Sequence, residues 1–137
     1  MSNAPSRNLG IIRDLYAAFI QGDLETAMTN WAPEISWNVA ENHPFAAGNP
    51  YIGAEAIVSR LLSEMGARMP DVAIQVSEML DAGDKIVVLG RYQGPVKATG
   101  QSIDAQMAHV WTLEDGKIVH FQQYVDTKQM NSALTVE

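Results

Sequence analysis

The chain has 137 residues and a formal net charge of −7, and its nine Lys and Arg are scattered, so no basic cluster marks a nucleic-acid surface. An apolar fraction of 47% with 18% charged residues is that of a globular protein, and the length suits one domain over 1–137, with an ordered core over about 9–130. The absence of cysteine removes disulfides, thiolate metal sites and cysteine nucleophiles together.

The opening MSNAPSRNLG lacks the apolar core of a signal peptide, and no later run approaches the length of a membrane span. A cytoplasmic location without membrane contact is the expectation. Ser2-Asn3-Ala4 reads as a remnant of an expression tag. In chain order, Leu9, Ile12, Tyr16, Phe19 and Ile20 fall at helical spacing, and Gly22 stops that helix. Asp23 then N-caps a short second helix carrying Leu24, Ala27, Met28 and Trp31, which Pro33 ends. Residues 35–40 form a short strand, and the Pro-, Gly- and Asn-rich ENHPFAAGNPYIG is a loop.

A third helix runs over about 54–65, with Ile57, Val58, Leu61, Leu62 and Met65 on its apolar side. After Pro70 the period changes, and 72–80, 85–93, 102–113 and 117–126 read as strands joined in part by the tight turns DAGD and EDG. Helices followed by antiparallel strands define an α+β fold, a curved antiparallel sheet wrapped around N-terminal helices.

Alternation assigns the faces. In GKIVHFQQYVDT the more apolar row is Val119, Phe121, Gln123 and Val125, which places Ile118, His120, Gln122, Tyr124 and Asp126 on the outside. A three-residue turn Glu114-Asp115-Gly116 pairs Leu113 with Lys117, His109 with Phe121 and Met107 with Gln123, so Met107, His109, Trp111 and Leu113 also face inward. The rows of KIVVLGRYQG are both apolar at the start, and neither is singled out as the inner one. A buried glutamine needs partners at a cost of about 1–3 kcal/mol if it lacks them, so Gln123 is expected to look into a pocket holding a few convergent polar groups.

LYAAFIQGDLETAMTNWAPEISW and AHVWTLEDGKIVHFQQYVDT together resemble the SnoaL-like branch of the nuclear transport factor 2-like superfamily, which includes ketosteroid isomerases, limonene epoxide hydrolase and polyketide cyclases. The resemblance implies a cystatin-like half-cone with a deep apolar pocket, commonly in a homodimer formed through the sheet. It also implies where catalytic groups would stand. The tyrosine of the steroid isomerases falls at Leu15, beside Tyr16; their general base falls at Val39 and their oxyanion acid near His109. Arg91 matches the arginine of the epoxide hydrolase, but Gln93 and Gln123 occupy its two acid positions, and the acid of the cyclases also falls near Gln123. A glutamine can orient a water and cannot take its proton, so those residue sets are not preserved.

The residues leave two candidates for proton transfer. His109 titrates near neutrality when unperturbed and lies on the inward row. Glu41 shares parity with Trp37 and Val39. Tyr16, Trp37, Arg91, Gln93, Met107, Trp111, Phe121 and Gln123 are the expected ligand contacts, while His43 sits on a loop at the rim and Asp126 caps a tail helix. Three histidines without local spacing make no metal site, and no cofactor is expected. The partner implied is a small hydrophobic molecule. One reading is an isomerase- or cyclase-like enzyme using His109; the others are a non-catalytic binder of an apolar metabolite and a dimerisation module with a collapsed pocket.

Overall fold

In a computed structural model of the protein, described over residues 6–134, α1 (Arg7–Ile20) is opened by Ser6, whose hydroxyl accepts the Leu9 amide. The suggested tag remnant Ser2-Asn3-Ala4 lies outside the described residues. The buried stripe of α1 is Leu9, Ile12, Leu15, Tyr16 and Ala18, so Phe19 and Ile20, expected on that stripe, are instead 36% and 59% exposed. Gly22 stops the helix at φ 79°, a conformation that costs a residue without Cβ little. Asp23 caps α2 (Leu24–Ala27) by accepting the Thr26 amide.

Trp31 begins β1 (Trp31–Asn38) rather than ending a helix. Pro33 therefore lies inside a strand, exposed, where the pairing register shifts between Trp31 and Ser36. A residue with no N–H is tolerated at such an interruption. A 3₁₀ turn (Ala46–Gly48) and β2 (Tyr51–Ile52) follow, then α3 (Ala54–Ala56), a π-helical stretch (Ile57–Leu62) and α4 (Ser63–Arg68). Among the described residues no helix is long and apolar enough to cross a membrane.

The remaining strands are β3 (Ala73–Asp81), β4 (Lys85–Val96), β5 (Gln101–Glu114) and β6 (Lys117–Val125), closed by α5 (Thr127–Leu134). Asp126 does cap that helix, accepting the Gln129 amide. The six strands run in the order β2-β1-β6-β5-β4-β3. The sheet is curved and open, with β2 and β3 as its edges, and the fold is α+β with helices at the N-terminus. One pairing departs from the antiparallel expectation, because β1 enters parallel to β6.

Besides the shift at Pro33, two irregularities interrupt the sheet. The first lies between Val76 and Glu78 of β3, opposite Gly90 and Leu89 of β4. A Cβ at Gly90 would run into the Gln75 carbonyl oxygen and reach 3.1 Å from Met107 Cε, so β3 can cross there only because Gly90 has no side chain. Replacement of Gly90 by alanine should therefore lower unfolding free energy by about 1–3 kcal/mol through forced overlap. Urea denaturation measures it, and an unchanged midpoint would show that the strand has room.

The second irregularity revises the final hairpin. Its loop is two residues, Asp115 and Gly116, both at positive φ (49° and 75°), with Glu114 opposite Lys117. This is the geometry that twists with the flanking strands. Ile118 then pairs with Leu113, Val119 is the extra residue of a bulge, and His120 pairs with Thr112. Ile118 is consequently buried, not outward, while the bulge restores the inward parity of Phe121 and Gln123. His109 ends opposite Gln123, and Met107 opposite Val125.

Candidate functional site

Register places the inner row of β5 with uncommon regularity: Ile103, Ala105, Met107, His109, Trp111 and Leu113 are all buried. The pairing of Tyr92 with Ala105 and of Val88 with His109 settles β4 as well, turning Ile86, Val88 and Tyr92 inward. Between this face and the helices lies a cavity of about 180 Å³. Its inner wall is Tyr16, Trp37, Tyr92, His109, Trp111, Phe121 and Gln123, and among the described residues none that lines it carries a full charge. Phe19, Leu62, Met65 and Gly66 line it where side chains reach solvent, which puts its mouth between α1 and the helix after β2.

The polar groups of that wall form one chain of hydrogen bonds. Trp111 Nε1–H donates to the Tyr16 hydroxyl oxygen at 3.0 Å. Tyr16 Oη lies 2.5 Å from His109 Nδ1, and His109 Nε2 lies 2.6 Å from Tyr92 Oη. Gln123 Nε2–H donates to Tyr92 Oη at 3.0 Å, while Gln123 Oε1 accepts the Ala40 amide at 3.1 Å. That backbone donor fixes the amide orientation, since it can only meet an oxygen. The aromatic rings pack around the chain: Phe121 meets His109 edge-on at 4.9 Å, and Trp37 lies 4.0 Å from Phe121 between centroids.

Burial sets the protonation states. Desolvation pushes His109 down to about 3, so its imidazole is neutral. It pushes Tyr92 up to about 12 and Tyr16 well above the usual phenol value, so both hydroxyls keep their protons. Both His109 nitrogens are already occupied by tyrosines. A weak base with no free lone pair is poorly suited to abstract a proton from a bound molecule.

Of the residues expected at the site, Tyr16, Trp37, His109, Trp111, Phe121 and Gln123 meet on the cavity wall. Arg91 and Gln93 do not. They alternate with Tyr92 and point from the outer face, where Arg91 Nε donates to Asp104 Oδ1 at 2.6 Å and Gln93 Nε2 to the same oxygen at 3.1 Å. That arginine–carboxylate contact holds Asp104 below the usual carboxylate range. Met107 faces inward and is buried, but it packs beneath the Gly90 crossing and does not line the cavity. Glu41 is exposed on the turn after β1, because the strand stops at Asn38 and the chain leaves the sheet before reaching it.

His43 is buried away from the cavity, its Nδ1 accepting the Phe45 amide and its Nε2 without a partner among the described residues. Desolvation lowers it to about 4. Tyr92 and Trp31 line the cavity and were not anticipated. Tyr92 was within reach of the sequence, since pairing Gly90 with Met107 places it on the inner row; the β4–β5 connection gave no independent hold on that register. Trp31 was concealed by helical spacing.

The sequence pattern of the SnoaL-like domain matches residues 12–121, and the chain belongs to this family. A nuclear transport factor 2-like protein from Burkholderia thailandensis is 33% identical, with 94% of this chain and 98% of that one aligned and a TM-score of 0.87. A second such protein, from Burkholderia pseudomallei, is 26% identical over 96% and 99% of the two chains, with a TM-score of 0.85. TerC, crystallised with polyporic acid, shares the fold at 21% identity, 94% and 98% coverage and a TM-score of 0.80. No functionally curated protein matches the chain.

Proposed function

We propose that the protein binds a small, neutral, largely apolar molecule in the cavity between its sheet and helices. The observation that carries this reading is a charge-free aromatic chamber, open at one end, with a hydrogen-bonded relay of polar groups at its inner surface. A cavity needed only for packing would gain from apolar residues at those positions, because each buried polar group must find a partner. TerC supplies a parallel, as a protein of the same fold crystallised with polyporic acid. The proton-transfer role expected of His109 is not part of this reading, since its ring is neutral and engaged on both sides.

All three tryptophans line the cavity, so intrinsic fluorescence reports directly on its occupancy. Titration with a flat aromatic ketone such as fluorenone should quench the emission saturably. Gly66 lies at the mouth, with nothing within 4 Å of the place a Cβ would take. Gly66→Leu should narrow the entrance and weaken binding about tenfold or more. It should leave stability equal or up to about 1 kcal/mol higher, because glycine is a poor helix former. Quenching that is linear in fluorenone, and identical in the variant, would sink the proposal.

A further inference from the structure

The relay contains more protons than it can place. Each tyrosine oxygen already receives an N–H that cannot be reversed, from Trp111 for Tyr16 and from Gln123 for Tyr92. Each hydroxyl must therefore direct its own hydrogen elsewhere, and among the described residues the only other hydrogen-bond partner either has is His109. A neutral imidazole offers one lone pair and one N–H. If Tyr16 donates to Nδ1, then Nε2–H donates to Tyr92, and the Tyr92 hydrogen has no acceptor. In the other tautomer Tyr92 donates to Nε2, and the Tyr16 hydrogen is left over. Protonating the ring would strand both. Among the described residues no other acceptor bonds either hydroxyl, and Gln123 Oε1 is turned to the Ala40 amide.

We propose that this surplus phenol O–H is the donor the protein presents to its ligand, so that the cavity selects a neutral, mostly apolar molecule bearing a carbonyl-type oxygen. Both tyrosines line the cavity, and a change of His109 tautomer moves the donor from one to the other without moving a heavy atom. The wall thus always offers a donor at one of two adjacent places, while the acceptor it leaves is the second lone pair of the other phenol oxygen. Ketones and quinones fit it; hydrocarbons of the same shape leave the O–H unsatisfied, and so do purely donating groups. His109 acts here as a positioning residue that decides which tyrosine donates.

This inference rests on the cavity being the ligand site, and the test separates the two. Fluorenone and fluorene differ in a carbonyl and share a flat three-ring shape. The wild-type protein should bind fluorenone about three to ten times more tightly, the contrast expected of one net hydrogen bond. The carbonyl stretch of bound fluorenone should move to lower wavenumber than in an alkane. In the double variant Tyr16→Phe/Tyr92→Phe the wild-type stretch frequency of bound fluorenone should be lost, since the N–H groups of Trp111, Gln123 and His109 that remain are donors of another kind at other positions. Equal affinities and an unshifted stretch in the wild type would overturn the donor assignment while leaving the cavity reading intact. Retention of the wild-type stretch frequency in the double variant would overturn the choice of the phenols. Failure of both probes to bind the wild type would overturn the cavity reading beneath it. The infrared measurement on the wild type decides the matter even where the double variant does not fold.

Discussion

Trp111→Ala should lower the unfolding free energy by about 3–5 kcal/mol, the usual range for deleting a buried indole. The ring is 2% exposed and touches Tyr16, Trp37 and Phe121, at centroid separations of 5.9, 5.5 and 4.5 Å. Its removal would enlarge a cavity that already exists, so the neighbours cannot close the void by collapsing onto one another. It would also withdraw the Nε1–H from Tyr16. Trp111→Phe separates the two effects. It keeps most of the ring contact and loses the donor, and its cost should fall to about 1–2 kcal/mol, near the value of one buried hydrogen bond plus a smaller void. Urea unfolding of the three proteins at pH 7 gives both numbers. Equal losses in the two variants would mean that the hydrogen bond, not the packing, carries the contribution of Trp111.

The sequence displayed the fold through period and punctuation, and hid most of what depends on register. The strict alternation of β5 and the Gly and Asp turns made the antiparallel run readable, and the helix stop at Gly22 and the cap at Asp23 stand where spacing put them. The bulge at Val119 did not show, because Ile118 and Val119 are equally apolar and parity alone cannot detect one extra residue. The inward placement of His109 was nonetheless correct. The two-residue loop and the bulge each displaced the pairing by one residue, and a shift of two restores parity while changing the partner. On β4 the apolar start masked the faces, so Arg91 and Gln93 were assigned by resemblance to a pocket they back away from, and Tyr92, one residue between them, was overlooked. Chemistry followed the same divide. A buried Gln123 with partners was foreseeable from its row, but the sharing of one imidazole by two tyrosines joins α1, β4 and β5 and has no local signature.

The stability gap between the wild type and His109→Leu should close as the pH falls, and the sign follows from the depressed native pKa. At pH 7 the variant leaves Tyr16 and Tyr92 without their acceptor and donor, a loss of about 2–4 kcal/mol if each hydroxyl costs about 1–2 kcal/mol. Both oxygens still receive an N–H, and both adjoin a cavity that admits water, which favours the lower half of that range. In the native wild type the ring stays neutral down to about 3, whereas in the unfolded chain it takes a proton near 6.5. Below that value the unfolded state binds more protons than the native state, so wild-type stability falls with decreasing pH. The groups facing the ring are Tyr16, Tyr92, Phe121 and Gln123, none of which is charged in this range to offset the effect. His109 alone should then contribute a loss of about 1.4 kcal/mol per pH unit below 6, and the variant lacks it. His43, also lowered by burial, titrates in both proteins and cancels from the difference. By pH 5 the gap should have narrowed by about 2 kcal/mol, bringing the two proteins close to equal stability. Urea titrations at pH 7, 6 and 5 measure it. A gap that stays constant would mean that His109 takes up its proton at the same pH in the native state as in the unfolded chain, and below that pH the relay would have to present two surplus hydroxyl protons instead of one.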